Sequence, residues 1–228
     1  MDLLDVMRTT PSVREFTDAP VSDETLYSLL DHARFAPNGG NRQGWHVVVL
    51  KDPARRSEIL ALLERGFRPY LRYREFGVTP FAPGMSGRFE EPPFDVVAAL
   101  DDTSIRTIAP MIATAPVMMV LLADVTKLAC VDNGLDRQPI IGGGSIYPFA
   151  HNILLAARSK GLGGVLMTVL AREEVKVREL LGFPQHVVVA GFIALGTPVK
   201  VITKLKRAPV EEFATIDRYD GEAFTVNR

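Results

Sequence analysis

The feature that most limits what this chain can fold into is an uncharged apolar run over residues 115–123, Ala-Pro-Val-Met-Met-Val-Leu-Leu-Ala. It falls far short of the roughly 18 to 20 residues that a bilayer-crossing helix needs, so it reads as a strand buried inside protein. A similar run spans 187–195, and shorter candidates lie at 47–50 and 165–169. Between them stand helix signals. Leu3, Leu4, Val6 and Met7 recur at helical spacing before Pro11. Ser22 with Asp23 and Glu24 can cap a helix striped by Leu26, Leu29, Leu30 and Ala33, which ends near Pro37. Asp52-Pro53 opens another, expected to reach about Arg65. The glycines 142–144 and Ser145 lead into a helix to about Lys160, with Gly161 just past its end, and 172–181 forms a further helix. Strands and helices alternate only loosely, which favours an α+β fold over a regular doubly wound sheet.

A length of 228 residues suits one domain, 1–228. Residues 66–93 carry five prolines and many aromatics without either period, an unusually long connection for a compact domain. A lid or interface insertion is therefore expected at about 66–94. Its Phe67, Tyr70, Tyr73, Phe76, Phe81, Phe89 and Phe94 alternate with Arg68, Arg72, Arg74 and Arg88. From about residue 200 an extended tail keeps Val210, Phe213, Ile216, Tyr219 and Phe224, more apolar surface than a disordered end carries, and is expected to wrap over a second subunit.

A net charge of −1 provides no global field for nucleic acid or an anionic membrane. The start, Met-Asp-Leu-Leu-Asp-Val-Met-Arg, lacks the layout of a secretory signal, so a cytoplasmic address is expected. Cys130 stands alone, and the histidines 32, 46, 151 and 186 never pair at metal-ligand spacing, so no metal is expected. Residues 161–166 miss the third glycine of a dinucleotide loop, 142–144 lack the lysine of a P-loop, and Gly84-Met85-Ser86-Gly87 misses the nucleophile elbow by one position.

Two stretches carry a resemblance. Thr10-Pro11-Ser12-Val13-Arg14-Glu15-Phe16, and Ala36-Pro37-Asn38-Gly39-Gly40-Asn41-Arg42-Gln43-Gly44-Trp45 before a strand, resemble the N-terminal signature of the nitroreductase family of flavin enzymes. The similarity continues through Ser145, 161–169, Leu180-Leu181-Gly182-Phe183-Pro184 and Lys206-Arg207-Ala208-Pro209. It implies a mainly antiparallel sheet flanked by helices, in a homodimer with exchanged tails. Each interface site would hold FMN, with NADH or NADPH as reductant. By motif position it implies that Ser12 and the tail bases Lys204, Lys206 and Arg207 hold the phosphate. Thr10 and Pro11 stand where the family has its first arginine, so either Arg8 or the tail carries that charge. Arg14 is implied at the flavin N1 and C2 edge, Pro37, Asn38, Gly39, Asn41 and Gln43 as the loop from the other subunit, and Leu166, Met167 and Thr168 along the N5 side. Arg14 and Thr168 are thus the implied catalytic pair. The implied reaction is ping-pong hydride transfer to a nitroaromatic, quinone or similar small acceptor. Reductive dehalogenation, substrate dehydrogenation and flavin binding without turnover are the alternatives.

Overall fold

The computed structural model describes residues 1–82, 84, 87–107 and 109–226; Pro83, Met85 and Ser86 of the expected insertion, and the last two residues of the tail, lie outside the described residues. Four strands, β1 (Trp45–Val49), β2 (Val117–Asp124), β3 (Gly163–Met167) and β4 (Val187–Gly196), form one sheet in the order β1-β2-β4-β3. Every neighbouring pair is antiparallel. The helices are α1 (Leu3–Arg8), α2 (Asp23–Ala33), α3 (Pro53–Glu75), α4 (Val96–Asp101), α5 (Ala109–Ile112), α6 (Tyr147–Ser159) and α7 (Glu174–Leu181). This is the α+β architecture with an antiparallel sheet that the sequence leads one to expect.

Side chains alternate across a strand, and β2 sends Val117, Met119, Leu121 and Ala123 into one core and Met118, Val120 and Leu122 into another. The first core is closed by Leu26, Leu29 and Ala33 of α2 and by Phe149, Ala150 and Ile153 of α6. The second is closed by Ile59, Leu63 and Phe67 of α3, Ile112 of α5 and Val177 of α7. An alternating apolar pattern is absent from 115–123 because neither face of β2 meets water.

Start signals hold where a side chain meets the backbone. Ser22 accepts from the Thr25 amide and Asp52 from the Ala54 amide, and Gly161 follows α6 with φ 80°. Asp95 likewise caps the short α4, which the sequence pattern did not signal. Other expectations need correction. The first helix buries only Val6, leaving Leu3 64% exposed with Leu4 and Met7 also in solvent. The strand expected at 47–50 is an edge strand from Trp45, half-buried, with His46 exposed. The helix expected to stop near Arg65 runs on to Glu75 through Pro69, so the irregular connection begins only at Phe76.

A proline inside a helix costs about 3 kcal/mol. Here tertiary burial outweighs it, because Phe67, Pro69 and Tyr73 on the continuation are all buried. Gly66 makes the packing possible: a Cβ there would stand 2.6 Å from the Val169 carbonyl oxygen, in the 3₁₀ turn Val169–Glu173. That turn is further tied to α3 by buried Glu173, which pairs with Arg65.

Gly66→Ala should therefore force α3 off the turn. An overpacking cost near 3 kcal/mol, less about 1 kcal/mol of helix propensity gained, leaves a loss of about 2 kcal/mol and a Tm lower by roughly 4–8 °C. Gly144→Ala, with nothing within 4 Å of the added methyl, should stay within about 0.5 kcal/mol. Thermal denaturation of the two variants side by side checks this, and equal Tm values would show that the close approach imposes no constraint.

Candidate functional site

The segment after α1 docks on the outer edge of β3. Ser12 bridges Gly164 in parallel, and the Val13 amide donates to the Gly164 carbonyl at 2.9 Å. The other side of the segment is tied to the residues after β4: the Val199 amide donates to the Glu15 carbonyl at 3.1 Å and the Thr17 amide to the Thr197 carbonyl at 2.9 Å. Val13 and Phe16 are buried, while Arg14 between them is exposed. The backbone of Arg14 is thus strapped on both sides and its guanidinium is left to solvent.

Two adjoining cavities share Arg14. One, of about 410 Å³, lies between Leu166, Met167 and Thr168 at the end of β3 and Tyr70 and Arg74 of α3. The other, of about 260 Å³, is lined by Ser12, Met111, Lys200 and Ile202. The last β3–β4 pair is Met167↔Phe192, so Thr168 is the first residue beyond the ladder, and it is exposed. Among the sequence-derived candidates, the structure therefore brings Ser12, Arg14, Leu166, Met167 and Thr168 together.

It does not bring the others to them within one chain. Pro37, Asn38, Gly39, Asn41 and Gln43 precede β1, at the opposite edge of the sheet, about three strand spacings or roughly 14 Å from β3. That loop is built tightly. The Asn38 side-chain oxygen accepts from the Gln43 amide at 2.9 Å, and buried Ser145 accepts from the Gly39 amide at 3.1 Å. Gly40, Asn41 and Gln43 all have positive φ, at 62°, 53° and 49°. Left-handed backbone at two non-glycine residues is the kind of strain that accumulates at functional loops. Behind Ser145, buried Asp132 accepts from the Ile140 amide at 2.7 Å and from Arg137 at 2.8 Å. Those bonds, the Ile140 amide foremost, hold its carboxyl below the ordinary carboxylate range.

Arg8 is exposed at the end of α1, and the Thr10 hydroxyl donates to the Val6 carbonyl. Lys204, Lys206 and Arg207 are exposed in the tail, where Arg207 donates to the Lys206 carbonyl. From Lys200 onward the described backbone hydrogen bonds run within the tail itself, and Phe213 and Tyr219 stand in solvent. Phe67, Tyr70, Leu71 and Arg74 were missed as site residues. They recur at i, i+3, i+4 and i+7, one face of a helix, a period that lies beyond the Arg65 end expected for α3 and among the prolines of 66–93. Near the end of α3, Tyr73 stacks edge-on against Phe81 and Phe94, both at 4.9 Å, which ties those two residues to the helix.

A model of the nitroreductase family matches residues 7–197. The chain is 28% identical over 200 residues, 86% of each chain, to an Archaeoglobus fulgidus protein with the provisional name NADH dehydrogenase/NAD(P)H nitroreductase. It is 26% identical over 187 residues to the NADPH-flavin oxidoreductase of Vibrio harveyi, covering 82% of this chain and 62% of that one. Among solved structures, a BluB-like flavoprotein of Clostridium difficile 630 superposes with a TM-score of 0.68 at 22% identity, covering 96% of this chain and all of the other. Among the described residues no helix is long and apolar enough to cross a membrane, and no cluster of His, Cys, Asp and Glu could hold a metal.

Removing the Ser145 hydroxyl should loosen the 38–43 loop without touching the fold. In Ser145→Ala the Gly39 amide loses its acceptor, worth about 1 kcal/mol for an exposed donor that water can reach. Hydrogen exchange at Gly39 should then be roughly fivefold faster, and an unchanged rate would show that Ser145 does not fix the loop.

Proposed function

This chain belongs to the nitroreductase family, and from that premise and the two cavities that share Arg14 we propose that it is an FMN-dependent NAD(P)H oxidoreductase acting on electron-poor small molecules such as nitroaromatics or quinones. The observation that carries the reading is the strapped, solvent-facing Arg14 beside Ser12 on one side and 166–168 on the other.

FMN needs a doubly charged phosphate neutralised, a flat ring seated and its polar edge supplied with donors. The residues present fit. Ser12 and Lys200 share one cavity with Arg14, with Glu15 also on its wall, and the bases Lys204, Lys206 and Arg207 follow in the tail. Leu166 and Met167 offer an apolar seat, with Thr168 beyond the ladder free to turn its backbone inward. When bound, FMN supplies reversible hydride acceptance between the nicotinamide and the acceptor. Arg14 places a fixed cation where negative charge develops on reduction, which favours the reduced state and raises the midpoint. The loop around Asn38, Gly39 and Asn41 offers amide donors, but from the far edge of the sheet. A second copy of the chain brings it to the Arg14 cavities, and the exposed apolar tail crosses to that partner. The working form in this reading is a homodimer with FMN at each interface.

The pure protein should be yellow, release FMN rather than FAD on denaturation, bleach anaerobically with NADH or NADPH, and sediment as a dimer. Colourless protein that takes up no FMN overturns the reading. Two arginines separate holding the cofactor from tuning it. Arg207→Ala should weaken FMN about ten- to hundredfold, a charge-assisted bond of roughly 1.5–3 kcal/mol, with little change in midpoint. Arg14→Ala should lower the midpoint, by about 30 mV for each 1.4 kcal/mol of differential binding. A redox titration in which Arg207→Ala shifts the midpoint and Arg14→Ala leaves it unmoved would reverse the assignment.

A further inference from the structure

Helix α3 carries six arginines, at 55, 56, 65, 68, 72 and 74. Five have partners. Arg55 pairs with Glu58 at 3.3 Å, Arg56 donates to the carbonyls of Ala115 and Pro116, and Arg65 pairs with Asp101 at 3.0 Å and with Glu173. Arg68 donates to the Leu100 carbonyl at 2.9 Å, and Arg72 pairs with Glu75 at 2.7 Å and with Asp102. Arg74 has no anion, carbonyl or ring partner among the described residues. It lines the 410 Å³ cavity opposite the end of β3, one helical turn beyond Tyr70 and Leu71, and no carboxylate lines that cavity.

Two arginines, Arg14 and Arg74, therefore line one space whose remaining walls are aromatic and aliphatic apart from Thr168. The cavity has the size of a small-molecule site. Under the reading above, on which this inference rests, Arg14 serves the cofactor, and that leaves one cation and the Phe67, Tyr70 and Leu71 face for a second ligand. A planar guanidinium fork matches a carboxylate bidentately, and Tyr70 can lie against a flat ring. We propose that the acceptor is a carboxylate-bearing aromatic molecule whose carboxylate is held by Arg74, so that α3 selects anionic over neutral acceptors.

The test uses 4-nitrobenzoate and its neutral isostere 4-nitrobenzamide as probes, titrated into the purified protein by calorimetry and, in parallel, followed through the visible spectrum of bound flavin. Wild-type protein should bind the benzoate about ten- to hundredfold more tightly than the benzamide, the range of one charge-assisted bond. Arg74→Gln should abolish that preference and Arg74→Lys should restore part of it, while FMN affinity stays unchanged in both. Steady-state reduction of 4-nitrobenzoate to 4-nitrosobenzoate consumes one NADH and one proton and releases NAD⁺ and water. Its KM should rise in Arg74→Gln by the same factor as the dissociation constant. The proposal is overturned if wild-type protein binds both probes alike or if Arg74→Gln keeps the preference. It is equally overturned if the variant raises KM for NADPH over NADH and leaves the benzoate unaffected, which would assign the cation to the nucleotide phosphate. Dissociation of the dimer in Arg74→Gln would instead assign Arg74 to an ion pair between subunits, and would also overturn it. Calorimetry needs no flavin, so an absence of FMN would sink the flavin reading while the anion preference is still measured.

Discussion

Everything else in this fold follows from covering both faces of β2. A strand with buried side chains on both sides needs a helical layer above and another below, and α2 with α6 and α3 with α5 and α7 supply them. Each of its fully buried leucines and methionines contributes about 1.5–3 kcal/mol. The same arrangement leaves the sheet no free face on which to build a site. Ligand chemistry is pushed to the edges, where β1 and β3 have one unpaired side each. At the β3 edge the first loop takes up the unpaired backbone through Ser12 and Val13, and Arg14 comes with it. At the β1 edge the chain enters through the 38–43 loop. The separation of the two groups of candidate residues is thus a consequence of the core rather than an accident of the loops.

Much of this was legible in the sequence wherever one local interaction decides the outcome. Ser22, Asp52 and Gly161 each act through a single hydrogen bond or a single dihedral angle, and each stands where the pattern indicates. The first-loop and β3-end candidates were reachable through motif position, and five of them share the Arg14 cavities. What escaped depends on partners distant in the chain. Nothing local reveals that Val169 will pack against Gly66 and carry α3 past Pro69. The exposure of β1 depends on its place at the sheet edge, which a run of valines does not encode.

Net charge hides the electrostatics in a similar way. The overall value of −1 is the residue of many local cancellations, and on α3 these are explicit, with Asp101, Asp102 and Glu173 each taken by an arginine. Breaking such a pair leaves a partly buried charge without its counterion, which costs more than the pair itself contributes. Three cations outside these pairs, Arg14, Arg74 and Lys200, line the two adjoining cavities. A nearly neutral protein thereby keeps three cations against one carboxylate, Glu15, around these cavities.

The contact between Gly66 and the Val169 carbonyl oxygen, backbone against backbone without an intervening side chain, also fixes how the cleft can open. A helix seated that closely on a turn behaves as a rigid post, and tilting it would break the Arg65–Glu173 pair and open a void beneath Phe67. Onto the far side of the same post, Tyr73 gathers the rings of Phe81 and Phe94. The cavity wall that α3 supplies is therefore held in place by packing beneath it, independent of whatever chain lies above it.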